Sequence, residues 1–155
     1  MNINEKIRAV YAYDMCFVHE KIQNDKILSI DELPKIEEEF KKFFTLVLQE
    51  ESALAMIDKR VDELWHSFIL FTPQYKEFCD NIMGFFVHHQ PRTSFTPVPI
   101  NSIANFVSCY KKHFGELDPF WLETLDEDIK EVVVSGNIPE TLTTKWSGWT
   151  GKHVF

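Results

Sequence analysis

The sequence predicts an all-α protein of five to six helices. Apolar residues recur at three- and four-residue steps over much of the chain, which is the period of amphipathic helices. Glycine is scarce, with 5 in 155 residues, while 14 Phe, 4 Tyr and 4 Trp supply bulky side chains for a core. The length is typical of one domain, so we predict a single helical domain over residues 1–155.

The first half of the chain contains two long amphipathic patterns. The first predicts a helix over 3–22, with an apolar stripe that includes Ile3, Ile7, Val10 and Val18. The second predicts a helix over 31–50, because Asp31 is a suitable N-cap and acidic residues follow in the first turns.

Two further helices are expected between residues 59 and 84. Residues 59–71 carry the apolar stripe of the third helix, which contains Trp65. Thr72-Pro73 has the pattern of an N-cap followed by proline at the first helical position, and Gly84 suits a left-handed C-terminal cap. The fourth helix is therefore predicted over 73–83.

The remainder of the chain is less regular. Three prolines in 85–99 favour an extended loop, which carries His88 and His89. Asn101 is expected to cap a helix that ends near Phe114, and a short acidic helix is predicted over 122–133. Residues 136–155 lack a period and predict an irregular tail or a short β segment.

Composition and charge exclude several classes of protein. The net charge is −8 without a basic stripe, so direct binding to nucleic acid is not expected. No apolar run approaches the roughly 20 residues that a membrane helix needs. Charged side chains interrupt the first fifteen residues, where a secretory signal would be apolar. The three cysteines form no CxxC pair. We therefore expect a cytoplasmic protein with reduced thiols.

The most informative residues for chemistry are Asp62 and His66. They are four residues apart on a predicted helix, so they share one face, and Tyr75 and Cys79 repeat this spacing on the next helix. If the following loop folds back, Asp62, His66 and His88 could hold a divalent metal such as zinc and leave a coordination position open. His89 or Cys79 could substitute for one of these ligands.

Other interpretations of the same residues stay open. Asp62 could orient His66 within a buried polar network that is purely structural, with Trp65 packed in the core. Cys79 could instead be a nucleophile, with His88 as base and Asp62 as orienting acid. The HExxH and CxxC motifs are absent, so the standard metalloprotease and zinc-finger mechanisms are not supported.

The combined pattern extends over two separated blocks. The first block runs from Val61 through the tandem histidines to Pro91, and the second carries Tyr110, Phe114, Gly115, Pro119 and Trp121. Over residues 55–121 this pattern resembles the glycine-rich domain-containing protein-like family, in a short stand-alone version without the glycine-rich region. The resemblance implies no agreed activity. It does imply that one structural or binding unit is formed by Asp62, Trp65, His66, Tyr75, Cys79, His88 and Pro91.

Three functions are compatible with these observations. The leading hypothesis is a small module that binds another protein, built around a polar or metal-binding Asp/His cluster. The second is a metal-dependent enzyme of unknown substrate, in which Tyr75 or Glu63 assists proton transfer. The third is an acidic inhibitor of a nucleic-acid-handling enzyme, which would use the helix over 31–50 and the acidic segment 116–131. Whether the protein is an enzyme is left open.

Overall fold

The computed structural model describes residues 1–90 and 100–139 of the chain. Across these residues the secondary structure consists of helices, and no strand is formed, so the predicted all-α class is confirmed. The seven α-helices are α1 (Ile3–Ala12), α2 (Cys16–Asp25), α3 (Leu33–Gln49), α4 (Lys59–Leu70), α5 (Thr72–Phe78), α6 (Ile100–Phe114) and α7 (Glu127–Ser135). Short 3₁₀ helices at Ile30–Glu32 and Pro119–Leu122 and a π-helical turn at Cys79–Met83 complete the set.

The prediction of one helix over 3–22 is wrong, which is why the expected number of helices is too low. The chain leaves the helix at Tyr13 (ψ 125°), and the Asp14 carboxylate accepts the backbone N–H of Cys16 at 2.9 Å as α2 begins. Lys41 of α3 donates its ammonium to the carbonyls of Tyr11 and Tyr13. A side chain distant in sequence thus satisfies carbonyls that a continuous helix would bond internally.

The helices over 31–50, 59–71 and 73–83 form close to the predicted boundaries. The last of them begins one residue early, at Thr72, and changes from α to π geometry at Cys79. Gly84 ends it with φ +82°, which is the left-handed cap that the sequence predicts.

In the C-terminal part, α6 ends at Phe114 as predicted, but it begins at Ile100, so Asn101 lies inside the first turn and is not the predicted N-cap. The acidic helix predicted over 122–133 starts later, because Asp118 and Pro119 initiate a separate 3₁₀ turn in which the Asp118 carboxylate accepts the Phe120 N–H. No β segment occurs in the described part of the tail, which is residues 136–139. The predicted features of 91–99 and 140–155, including Pro91, lie outside the described residues.

The chain forms two compact units. The first unit contains Met1–Gln49 and Lys59–Val87 and therefore α1 to α5. Within it α3 packs against α1 and α4, and α4 packs against α2 and α5. Its core is strongly aromatic: Phe44 lies 5.2 Å from Trp65 and Phe68 lies 5.0 Å from Tyr75, measured between ring centroids, in edge-to-face arrangements.

The second unit contains Glu50–Asp58 and the chain from His88 onward. Here α6 packs against α7, and Phe106 contacts Trp121 with ring centroids 4.7 Å apart. Ala55 is buried in an aliphatic cluster with Ile103 and Val132. None of the helices within 1–90 and 100–139 is long and apolar enough to cross a membrane.

Candidate metal-binding site

Asp62 and His66 lie one turn apart on α4, at the edge of its apolar stripe. His66 Nε2 is 3.4 Å from Asp62 Oδ2, and the two side chains are 41% and 32% exposed. Their neighbours Val61, Leu64 and Trp65 are fully buried, so the amphipathic pattern of α4 turns these two polar groups toward the solvent boundary. The pair is accessible to an ion or a small ligand and is not a buried core network.

Trp65 connects this face of α4 to the interior of the first unit. Its indole N–H donates to the Tyr75 hydroxyl at 3.1 Å, and that hydroxyl donates to the carbonyl oxygen of Val87. Trp65, Tyr75 and Val87 are each no more than 2% exposed. Buried indole and phenol groups normally require such partners, and here the partners join α4, α5 and the segment after Gly84.

Cys79 lies one turn after Tyr75 and contacts the same residue of that segment. The backbone N–H of Val87 donates to its thiol, which is also hydrogen-bonded to the Tyr75 hydroxyl. Burial raises the pKa of the Cys79 thiol. Nucleophilic attack and metal ligation both require the thiolate, so this environment disfavours Cys79 in either role.

Tyr75 is equally unsuited to move protons. Burial raises the pKa of its hydroxyl far above the usual range, and the hydroxyl is already engaged with Trp65 and Val87. An efficient general acid or base has a pKa near the working pH and reaches the substrate. These contacts disfavour Tyr75 in proton transfer. Glu63 is half-buried on α4 and keeps partial contact with solvent.

The tandem histidines follow Val87 directly and lie outside the helices. Burial alternates along this segment: Phe86 is exposed, Val87 buried, His88 exposed and His89 half-buried. Such alternation is typical of extended chain, in which successive side chains point to opposite sides. Val87 and His89 therefore share one side of the segment, and His88 points to the other.

The role of Val87 is not indicated by the sequence. The backbone of Val87 hydrogen-bonds two side chains, those of Tyr75 and Cys79. An apolar valine side chain gives no indication of this in the sequence. The i, i+4 spacing of Tyr75 and Cys79 indicates that they share a face, but only tertiary structure shows what that face binds. Lys6 is a second unpredicted participant, because it donates to the carbonyl of Met83 at 2.8 Å, just before Gly84.

Comparison with known proteins identifies the family. A family model described as UCP032817-like matches residues 4–111, and the chain belongs to this uncharacterised family. No curated protein and no solved structure matches the chain.

The resemblance to the glycine-rich domain-containing protein-like family is therefore wrong. That resemblance started at residue 55, whereas the family match includes α1 to α3. The residues that suggested it include Trp65, Tyr75 and Trp121, which are buried. Buried aromatic residues at helical spacing are a general packing solution, so their pattern discriminates poorly between families of helical proteins.

Proposed function

We propose that this member of the UCP032817-like family binds a divalent metal ion through Asp62, His66 and His89. The observation that carries the proposal is the solvent-accessible carboxylate and imidazole pair on α4, with side chains 32% and 41% exposed. An exposed ion pair typically contributes only about 0 to 1 kcal/mol to stability. Stability alone therefore does not explain why Asp62 and His66 lie next to the fully buried Trp65.

His89 is proposed as the third ligand in preference to His88. Val87 is held by Tyr75, which also receives the hydrogen bond from Trp65, the residue next to His66. His89 follows Val87 by two residues, so its Cα lies at most about 7 Å from that of Val87. The alternation of burial supports His89 over His88, because His89 is half-buried and His88 is exposed.

Two imidazoles and one carboxylate are suitable ligands for zinc and for ferrous iron. Three protein ligands leave at least one position for water, which is typical of catalytic sites and not of closed structural ones. At such a position a zinc ion lowers the pKa of its bound water to about 7. The alternative of a metal-dependent enzyme therefore remains, with its substrate class unassigned.

Metal binding tests the proposal directly. We would measure Zn²⁺ and Co²⁺ dissociation constants by isothermal titration with untagged protein, for the wild type and for Asp62→Asn, His66→Gln and His89→Gln. His88→Gln is the matched control, because it removes the neighbouring imidazole from the same segment. The expected result is one ion per chain, with affinity at least about tenfold lower in the three ligand variants and unchanged in the control.

Two outcomes would overturn the proposal. One is a wild-type protein that binds neither ion. The other is an equal loss of affinity in His88→Gln and His89→Gln, which would show that the tandem histidines bind metal without regard to orientation. The protein-interaction module and the acidic inhibitor stay predictions from sequence, as do a protein partner and a cytoplasmic location.

A further inference from the structure

We infer that Tyr75 and Cys79 are positioning residues that hold His89 for metal binding, by fixing both backbone polar groups of Val87. This inference rests on the proposed metal site and identifies what places its third ligand. We call the two side chains and the backbone of Val87 the Val87 clamp.

The clamp is formed by two residues one turn apart, at the junction of α5 and the π-helical turn. The Tyr75 hydroxyl donates to the Val87 carbonyl, and the Cys79 thiol accepts the Val87 N–H. In a β-sheet, the backbone N–H and C=O of a residue are hydrogen-bonded by neighbouring strands. At Val87 the same two groups are hydrogen-bonded by the side chains of Cys79 and Tyr75. Val87 is thereby anchored although the segment around it forms no regular secondary structure.

The interior of the first unit keeps the clamp rigid. Tyr75 is 2% exposed and Cys79 is fully buried. The Tyr75 ring packs edge-to-face on Phe68 and on Phe86, with centroids 5.0 and 5.5 Å apart. The indole of Trp65 donates to the same hydroxyl, so one group links the helix that carries Asp62 and His66 to the residue two positions before His89.

This arrangement explains why polar groups are kept in an otherwise aromatic core. Tyr75→Phe would leave the Trp65 indole N–H and the Val87 carbonyl without this buried partner, and Cys79→Ala would remove the acceptor of the Val87 N–H. Each substitution would weaken the attachment of Val87. Groups that orient metal ligands from outside the coordination sphere commonly affect metal affinity about 10- to 100-fold.

The test uses the full chain and two independent readouts. Tyr75→Phe and Cys79→Ala are compared with the wild type by Co²⁺ affinity and visible absorption spectrum, and by amide hydrogen exchange of residues 86–90 in metal-free protein. Tyr110→Phe is the matched control, because it removes the hydroxyl of another tyrosine that is 2% exposed. Circular dichroism establishes that each variant is folded.

The expected result for Tyr75→Phe is a loss of Co²⁺ affinity of about tenfold or more, an altered spectrum, and faster exchange in 86–90. Cys79→Ala is expected to speed the exchange of the Val87 amide and to weaken binding less. Tyr110→Phe is expected to leave the Co²⁺ affinity and the 86–90 exchange unchanged. If Tyr75→Phe does not fold, the positioning role is tested with Cys79→Ala by the same affinity and exchange measurements.

The outcomes separate this inference from the proposed function. Wild-type affinity in both clamp variants would overturn the positioning role and leave the metal site intact. Unchanged exchange of 86–90 in both variants would overturn the clamp itself. A wild type that binds no metal would overturn the proposed function, and the positioning role with it.

Discussion

Glu50 is a carboxylate that contacts both an ammonium group and an imidazole. Its Oε1 lies 2.8 Å from Lys112 Nζ and 2.6 Å from His113 Nε2 in the second unit. The hydrogen bond from Lys112, followed by that from His113, lowers the pKa of the Glu50 carboxyl. The lysine ammonium supplies the positive charge that a metal ion would otherwise supply, so the chemistry of this cluster is that of an ion pair.

The Glu50 cluster predicts a pH-dependent contribution to stability. A carboxyl whose pKa is lower in the folded state binds more protons when unfolded, so it stabilises the fold above its unfolded pKa, near 4.5. That stability is lost as the pH falls through the folded pKa. Glu50→Gln should therefore lower the melting temperature most at neutral pH, and the difference from the wild type should shrink below pH 4.5.

Melting temperatures of both proteins between pH 7 and pH 3 check this prediction. Glu116→Gln is the control, because Glu116 is an exposed carboxylate of the same unit. A difference between wild type and Glu50→Gln that stays constant over the whole range would contradict the assigned ion pair.

At the scale of elements, the end of the π-helical turn depends on one glycine and one lysine. Gly84 has φ +82°, which costs a residue with a Cβ about 1 to 2 kcal/mol. A Cβ at Gly84 would lie 2.6 Å from the Nζ of Lys6, which donates to the Met83 carbonyl. A side chain at this position therefore also displaces a hydrogen bond.

A double-mutant cycle separates the two costs at Gly84. We expect Gly84→Ala to lower the free energy of unfolding by about 2 kcal/mol or more, combining backbone strain with the lost Lys6 hydrogen bond. In a Lys6→Met background the cost should fall to that of Gly115→Ala. Gly115 has φ +85°, and among the described residues no atom lies within 4 Å of its Cβ position. Urea denaturation measures all four variants, and an unchanged cost in the Lys6→Met background would exclude the proposed displacement.

The elements also show which boundaries are readable from local sequence. Thr72-Pro73 and Gly84 mark their helix to within one residue, because proline at a first turn and glycine at a left-handed cap act through their own backbone. The break at Tyr13 depends on Lys41, which is 28 residues away. No local pattern at residues 12–15 reveals that α3 satisfies those carbonyls.

At the scale of the whole molecule, the connection between α3 and α4 belongs to the second unit. The Ala55 N–H donates to the Ser102 carbonyl at 3.0 Å, and the Asn105 amide donates to the Ala53 carbonyl at 3.1 Å. Residues 50–58 thus pair with α6, although both of their flanking helices lie in the first unit. The two units are interleaved in sequence, and the prediction of a single domain stays a prediction.

Because residues 50–58 belong to the second unit, a substitution in this connection should destabilise helices that are distant in sequence. Ala55 is 2% exposed among aliphatic side chains, so Ala55→Asp buries an unpaired charge and should cost about 3 kcal/mol of unfolding free energy. Amide exchange should increase first in α6 and α7, distant in sequence. Ser52→Asp, at an exposed position of the same connection, is the control. An increase confined to α3 and α4 would contradict the assignment of 50–58 to the second unit.

The sequence by itself determined the all-α class, most helix boundaries and the pairing of Asp62 with His66. Each of these depends on relations within a few residues: the helical period, the caps, and the i, i+4 spacing along one face. The inference of a metal site also began there. The sequence does not favour His89 over His88, because spacing alone does not indicate which side of a non-helical segment is buried.

Only tertiary structure shows the contacts among Tyr75, Cys79 and Val87 and the division of the helices into two units. The Val87 clamp joins backbone atoms to side chains 8 and 12 residues earlier, and residues 50–58 pair with a helix about 50 residues later. Such contacts depend on how helices pack, which is set by the fit of whole surfaces and not by any local pattern. Burial raises the pKa of the Cys79 thiol, which disfavours the reactive thiolate that the sequence left open.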